Sequence, residues 1–358
     1  MRFVQILPTL AFGDAIGNHV RALDQYLKKN GFETAIYAAA IDEALAEGCA
    51  GKYEDYVSED DDIILYHLSI GRDINRKFIE HKGTKIINYH NITPPDFFKG
   101  YNYNTQCNCQ TGLEDVEYLS DKVRFCIADS EYNKQDLIRM GYRCEIDVIP
   151  ILIAFDDYKK NPNKEVMEQL SDSVTNIIFV GRVAPNKKQE DVIHAFYYYK
   201  KYYNPDSRLI LVGNYGGMES YYQRLVSYIS ELGAEDVIIT GQVSFDKILA
   251  YYHKADLFLC QSEHEGFCVP LVESMFFQVP IVAYDCTAIG GTMQEGGILL
   301  PTKDPLVTAG AMHRLLSDER IKNAVKENEM ERLKAFDNEV VAGQFLDFIN
   351  EKVLGDSL

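Results

Sequence analysis

The sequence predicts an α/β protein built from two parallel sheets, each wrapped by helices. Three observations carry this expectation. At 358 residues the chain exceeds one typical domain and fits two. Short runs of β-branched and aromatic residues alternate with amphipathic stretches along its whole length. That is the pattern of strands joined by helical crossovers rather than by hairpins. Glycines stand in the turns that follow the first apolar run and the run ending at Val180, the edge where open α/β sheets hold ligands.

Taken in order, Met1 to Leu7 reads as a first strand, without the charged run and long apolar core of a secretory signal. Pro8, Gly13 and Gly17 follow, then an amphipathic helix from Asn18 to Lys29 with Val20, Leu23 and Leu27 on one face. The run Gly13-Asp14-Ala15-Ile16-Gly17 lacks the spacing of a dinucleotide fingerprint. Further strands are expected at 33–38, 63–66, 85–89, 125–128 and 145–149. The polar stretch from Asp156 to Thr175, rich in lysine and asparagine, reads as a linker. A second set of strands is expected at 176–180, 208–212, 236–240, 256–260, 280–283 and 297–300. Asp337 to Val353 reads as a final helix with Val340, Val341, Phe345, Phe348 and Ile349 apolar. The expected division is therefore 1–155, 156–336 and a closing helical segment 337–358.

Formal net charge is −18, and both halves are acidic, which argues against a nucleic-acid binder. A local group of Arg72, Arg76, Lys77, Lys82 and Lys85 admits weak peripheral contact with lipid headgroups, but such a group is more simply a solvated helix face. No apolar segment approaches the length needed to span a bilayer. Eight cysteines are scattered, several inside expected strands, which suits reduced, buried thiols in a cytoplasmic protein. Cys107-Asn108-Cys109 falls in what reads as a long flexible loop after residue 90, and one close pair is weak evidence for metal. The many tyrosines near 197–203 and 221–228 read as amphipathic packing.

The chemistry concentrates in Glu265-Gly266-Phe267-Cys268-Val269-Pro270-Leu271-Val272-Glu273. Pro270 and the apolar run up to Pro280 indicate a short helix over about Val269–Phe277. Glu265 then lies before the helix and Glu273 inside it. The unpaired N–H groups of the first turn form an anion site, suited to phosphate. Carboxylates on either side of a phosphate site suit hydroxyl groups, and a sugar nucleotide has that layout: hexose, diphosphate, ribose. Upstream, Asn176 to Gly181 reads as a buried strand ending in a turn that carries Arg182 and Lys187. A planar guanidinium and a compact ammonium in one loop are a common grip on a diphosphate.

These two segments closely resemble the Glu-x7-Glu signature and the phosphate-gripping Arg and Lys of retaining glycosyltransferases of family 4. The resemblance implies the GT-B fold: two Rossmann-like parallel-sheet domains facing a central cleft, with the last helix crossing back to the first. It implies that Glu265 contacts hydroxyls of the transferred sugar and that Glu273 holds the ribose. The backbone of Phe267 and Cys268 would orient the hexose, and N–H groups near Val269 and Leu271 would meet the diphosphate with Arg182 and Lys187. Gly17 would let backbone approach the donor phosphate. His90, at the end of the 85–89 strand, would stand near the sugar, with His67 as a competitor. Gln242, Val243 and Phe245 would border the base without selecting uridine over guanosine. The sequence departs from the family at Cys268 and at Lys188, both positions where glycine is frequent, and the second leaves open which lysine reaches the ligand. The implied activity is retaining transfer of a hexose from a UDP- or GDP-sugar to a saccharide or lipid-linked acceptor in polysaccharide or glycoconjugate synthesis, with no metal or other cofactor. A sugar-nucleotide epimerase and a catalytically silent partner subunit of the same fold are the alternatives.

Overall fold

The computed structural model describes residues 1–11, 13–43, 45 and 48–355. Its contacts divide the chain into two units, one of Met1–Asp96, Asn104–Ala154 and the closing segment from Phe336, the other of Phe97–Tyr103 and Phe155–Ala335. The last three residues of the expected closing segment lie outside the described residues.

The first unit opens with β1 (Arg2–Leu10), α1 (Ala15–Lys29), β2 (Glu33–Ile41) and the two-residue β3 (Gly51–Lys52). It continues through β4 (Ile63–Leu68), α2 (Ile74–Lys77), β5 (Thr84–Tyr89), α3 (Tyr103–Leu119), β6 (Phe125–Ala128), α4 (Glu131–Arg139) and β7 (Glu145–Val148). All pairings are parallel, in the order β3-β2-β1-β4-β5-β6-β7. The strand order reverses at β1, so the carboxyl ends of β1 and β4 flank the switch point where such sheets bind ligands.

Local chemistry explains where these elements start. Helix α1 begins three residues before the sequence suggests, because the Asp14 carboxylate accepts the Gly17 N–H at 3.2 Å and caps it. Ser130 caps α4 in the same way. The stretch expected as a flexible loop around Cys107 and Cys109 is instead the long helix α3. Its buried face is made of Cys109, Gly112, Asp115, Val116 and Leu119, so small and polar residues replace the usual apolar stripe. Asp115 is satisfied there by Asn75 at 2.9 Å and Arg76 at 2.6 Å.

The second unit contains α5 (Phe155–Tyr158), α6 (Lys164–Gln169), β8 (Thr175–Val180), α7 (Gln189–Tyr202), β9 (Ser207–Val212) and α8 (Glu219–Leu232). It continues with β10 (Val237–Ile239), α9 (Phe245–Lys254), β11 (Leu257–Cys260), α10 (Val269–Phe276), β12 (Ile281–Tyr284) and α11 (Ile289–Met293). Strand β13 (Ile298–Leu300), α12 (Pro305–Ser317) and α13 (Glu319–Leu333) complete it. The sheet order is β10-β9-β8-β11-β12-β13, again all parallel, with its switch point at β8. The expected linker 156–175 holds two short helices, α6 being capped by the Asn163 side chain.

Helix α14 (Asn338–Asp347) and a π-helical turn over Phe348–Leu354 return to the first unit. Phe345 meets Phe3 edge-on at 5.7 Å, and Phe348 meets Phe125 at 6.3 Å. Val341, Ile349 and Val353 join Leu23, Leu27, Ile63 and Ile86 in the same buried cluster. Each such side chain contributes roughly 1.5–3 kcal/mol of burial, so this segment is part of the core and not an appendage.

Candidate active site

The site of the second unit is assembled from loops at the carboxyl ends of its central strands. The loop after β8 passes so close to the end of β9 that a Cβ on Gly213 would run into the carbonyl oxygen of Gly181. Glycine is required there because backbone approaches backbone. A one-turn 3-10 helix, Pro185–Lys187, then delivers the side chain of Lys187. The loop after β11 is stitched to it by Asn186, whose carbonyl accepts the Glu263 N–H at 2.8 Å and whose amide donates to the His264 carbonyl at 3.1 Å.

Across that stitch the Lys187 ammonium lies 2.6 Å from Glu265 Oε2, with the carboxylate side chain buried and the lysine largely so. Burial works against the lysine charge, but Glu265 outweighs it and the ammonium is held above its ordinary range. Glu265 is fixed from behind by its own N–H to Thr287 Oγ1 at 2.9 Å. Phe267 is buried, and its carbonyl accepts the Thr292 hydroxyl at 2.6 Å. Lys188 pairs with a different carboxylate from Lys187. Its ammonium reaches Glu263 at 3.3 Å, and Lys303 meets Asp191 at 2.5 Å and the same Glu263.

Both departures from glycine fall where glycine is favoured. Cys268 has φ 71° and Lys188 has φ 52°, each in the left-handed region immediately before a helix. Neither α10 nor α7 receives a side-chain cap, so no side chain takes up the first-turn N–H groups of α10, and Cys268 before that helix lies within electrostatic reach of Lys187 and Glu265. The Leu271 N–H is donated to the Cys268 carbonyl at 3.1 Å. Val269 is the first residue of the helix. A left-handed residue costs ~1–2 kcal/mol, and a β-branched one costs more. Cys268→Val is accordingly expected to lose about 2–3 kcal/mol of stability in denaturant titrations. Cys268→Gly is expected to be nearly neutral, since relief of strain is offset by the lost thiol packing and the freer unfolded chain.

Arg182 is exposed, and its guanidinium donates to the Gly216 carbonyl at 3.0 Å, while its own carbonyl accepts from Gln189 at 3.0 Å. It shares the Lys187 loop but is turned toward the segment after β9. Glu273 sits inside α10, each carboxylate oxygen receiving one tyrosine hydroxyl: Tyr158 at 2.6 Å on Oε1 and Tyr252 at 2.6 Å on Oε2. Desolvation raises this carboxyl above its usual range, and the two tyrosine donors offset that only in part. Neither tyrosine was singled out by the sequence. Val243 is half-buried in the segment between β10 and α9, beside Gln242, which accepts from Asn214 at 3.3 Å.

In the first unit, Gly17 is the third residue of α1 and not part of the preceding turn. A Cβ there would lie 2.7 Å from the Ala11 carbonyl oxygen, so its smallness is already required by the fold. His90 belongs to a buried polar chain. Gln5 donates its amide to the Val20 carbonyl at 3.0 Å, which turns its oxygen toward His67 Nε2 at 3.1 Å. His67 Nδ1 meets His90 Nε2 at 2.8 Å, and His90 Nδ1 meets Asp129 Oδ2 at 2.7 Å. Both ring nitrogens of His90 are thus engaged within the protein, as are both of His67. The basic group named above is tempered by acids: Arg76 pairs with Asp115 at 2.6 Å and Lys82 with Asp60 at 3.0 Å.

Among the described residues no group of three or more His, Cys, Asp or Glu is arranged to hold a metal, and no helix is long and apolar enough to cross a membrane. All eight cysteines are free thiols.

Two Rossmann-like units with these strand orders are the fold of GT-B glycosyltransferases. The chain superposes on the sucrose-phosphate synthase of Thermosynechococcus elongatus with a TM-score of 0.77 at 16% identity, covering 99% of this chain and all of that one. It superposes on Anabaena HepE in complex with UDP-glucose with a TM-score of 0.75 at 18% identity, covering 98% of this chain and all of that one. Residues 163–332, nearly the whole second unit, match the family model of the glycosyl transferases group 1. In sequence the chain is 28% identical over 138 residues to the lipopolysaccharide 1,2-N-acetylglucosaminetransferase of Salmonella typhimurium, a match spanning 36% of each. It is 23% identical over 274 residues to a Campylobacter jejuni N-acetylgalactosaminyltransferase acting on a diphospho-undecaprenol-linked saccharide, which covers 74% of this chain and 70% of that enzyme. The chain thus spans little more than a third of the first of these curated relatives.

Proposed function

We propose that the protein is a retaining glycosyltransferase that moves a hexose from a UDP- or GDP-sugar to an acceptor hydroxyl during glycoconjugate assembly. The observation that carries the reading is the contact of Lys187 with Glu265 in front of the uncapped helix α10. It sets a cation and a carboxylate near Cys268, at the start of a helix whose first N–H, that of Val269, has no side-chain cap. The lysine and the helix terminus would stabilise the diphosphate as the glycosidic bond breaks, because negative charge grows there. Arg182, exposed on the same loop, would turn from Gly216 to the phosphates. Glu265 would accept hydroxyls of the hexose, the backbone of Phe267 and Cys268 would shape its seat, and Glu273 would take the ribose. Positive charge comes from side chains and a helix terminus, so the reading asks for no metal.

The names of the relatives support the substrate classes. HepE is described with UDP-glucose, and the two curated enzymes act on lipopolysaccharide and on a lipid-linked diphosphate. That likeness supports a saccharide or lipid-linked acceptor.

The test is a thermal-shift screen of UDP- and GDP-sugars, followed by donor hydrolysis with and without EDTA. One nucleotide series is expected to raise the melting temperature, and slow hydrolysis, unaffected by EDTA, is expected to release the sugar with its anomeric configuration kept. Absence of any shift with every nucleotide sugar would overturn the assignment. Release of a changed sugar nucleotide would point to an epimerase instead.

A further inference from the structure

The two tyrosines on Glu273 are an expensive arrangement if packing is their only purpose. Tyr252 is 1% exposed and stacks on Phe277 at 5.0 Å and 6°. Tyr158 is 8% exposed, stacks on Phe245 at 5.8 Å and lies edge-on to Phe155 at 6.0 Å. Phe276 closes the same wall, 5.5 Å from Tyr158. Both hydroxyls are therefore held by rings that cannot re-aim. A buried tyrosine hydroxyl is satisfied as well by a backbone carbonyl, without taking a carboxylate out of water. Glu273 is half-buried as a residue while both tyrosines are buried, and each of its oxygens takes a single tyrosine hydroxyl.

We propose that Tyr158 and Tyr252 are positioning residues that hold Glu273 as a two-oxygen acceptor for the vicinal hydroxyls of a ribonucleotide donor. The proposal rests on the nucleotide-sugar reading above. An ionised carboxylate offers about four lone-pair directions, two on each oxygen. One tyrosine on each oxygen uses one direction apiece and leaves a matched pair, which is what two neighbouring ribose hydroxyls need. Charge-assisted O–H···O bonds of this length also favour the ionised form against the aromatic wall, which would otherwise favour the neutral acid. A neutral carboxyl would present a donor where an acceptor is required. The titratable groups around Glu273 are Tyr158 and Asp157 on α5, Tyr252 and His253 on α9, and Cys268 before α10. His253 lies beyond Phe277, edge-on at 5.0 Å.

The experiment is calorimetric titration of the full chain with UDP, GDP and their 2′-deoxy forms from pH 5.5 to 8.5. Tyr158→Phe and Tyr252→Phe are each expected to weaken ribonucleotide binding about tenfold near neutral pH, the worth of one charged hydrogen bond. The loss should grow as pH falls, because Glu273 then takes up a proton more readily than in the parent protein. Binding of the 2′-deoxy forms should change little, so the preference for ribose shrinks. Glu273→Gln, which keeps the shape, should abolish both the preference and the pH dependence, and His253→Gln should leave the parent profile unaltered. Should one Phe variant unfold, the other decides, with Glu273→Gln as the reference for complete loss. If the parent protein binds and these variants keep its affinity, ribose preference and pH profile, the tyrosine role is overturned while the nucleotide site stands. If the parent protein binds no nucleoside diphosphate, the underlying reading fails and this inference with it.

Discussion

Replacing Lys187 with methionine is expected to cost the second unit about 3–5 kcal/mol, the penalty for leaving one member of a buried ion pair without its partner. Glu265 is 7% exposed and receives the lysine at 2.6 Å, so without the lysine its carboxylate is left largely desolvated. Thr287 serves the Glu265 backbone and does not neutralise the side chain. The fall should appear as a lower unfolding midpoint, by roughly 2–4 °C for each kcal/mol in a unit of this size. Lys187→Met with Glu265→Gln should be more stable than Lys187→Met alone, since the orphaned charge is gone. Catalysis should separate from stability. Every variant lacking the lysine should lose turnover by roughly 10²–10³-fold, the usual scale for one preorganised charge at a departing group. A double variant that regains both stability and turnover would show that the pair is only a structural clamp.

Substituting glutamine for Glu329 is expected to stabilise the protein at neutral pH, increasingly so as pH rises. Glu329 lies on α13, fully buried, and its Oε1 accepts the Ile281 N–H at 3.1 Å at the start of β12. Its Oε2 has no hydrogen-bond partner among the described residues. Desolvation therefore pushes the carboxyl up from its ordinary value to about 9. The folded protein keeps this proton where the unfolded chain gives it up, so stability is fully present below about pH 4.5 and is lost as pH climbs toward 9. The slope approaches about 1.4 kcal/mol per pH unit, which puts the loss near 3 kcal/mol at pH 7. Glutamine keeps the acceptor for Ile281 and carries no titrating proton. Urea titrations at pH 5 and pH 8 should show the gap between variant and parent widening by about 4 kcal/mol. A gap independent of pH would mean that water reaches Glu329.

The strands were legible because most of them are buried on both faces and read as unbroken apolar runs, as Ile63–Leu68 and Leu257–Cys260 do. Gly51–Lys52 gave no such signal, since two residues without a buried side chain are held only by pairing with Tyr37 and Ala38. Helix α3 escaped for a different reason. Its contacts run through Gly112, packed where a Cβ would meet the Gly71 backbone, and through an aspartate–asparagine–arginine group, so no hydrophobic period marks it. In the candidate site, Gly266, Phe267 and Pro270 between Glu265 and Glu273, together with Arg182 and Lys187 in the turn after the strand ending at Val180, drew attention to these four charged residues. The contact between Lys187 and Glu265 bridges 78 positions and comes from the sheet order. Tyr158 could not be distinguished among 24 tyrosines, because its partner Glu273 lies 115 positions away. Lys188 and Cys268 stand in left-handed backbone, which side-chain chemistry gives no means of reading.

The return of the chain from Phe336 onward sets an order of assembly during synthesis. Phe3, Leu23 and Phe125 are complete as a core only when Phe345, Phe348 and Ile349 arrive. Every strand of the second unit leaves the ribosome before that happens, so the half of the protein made first is the half that finishes last. In the interval its oily floor is open to water and to chaperones.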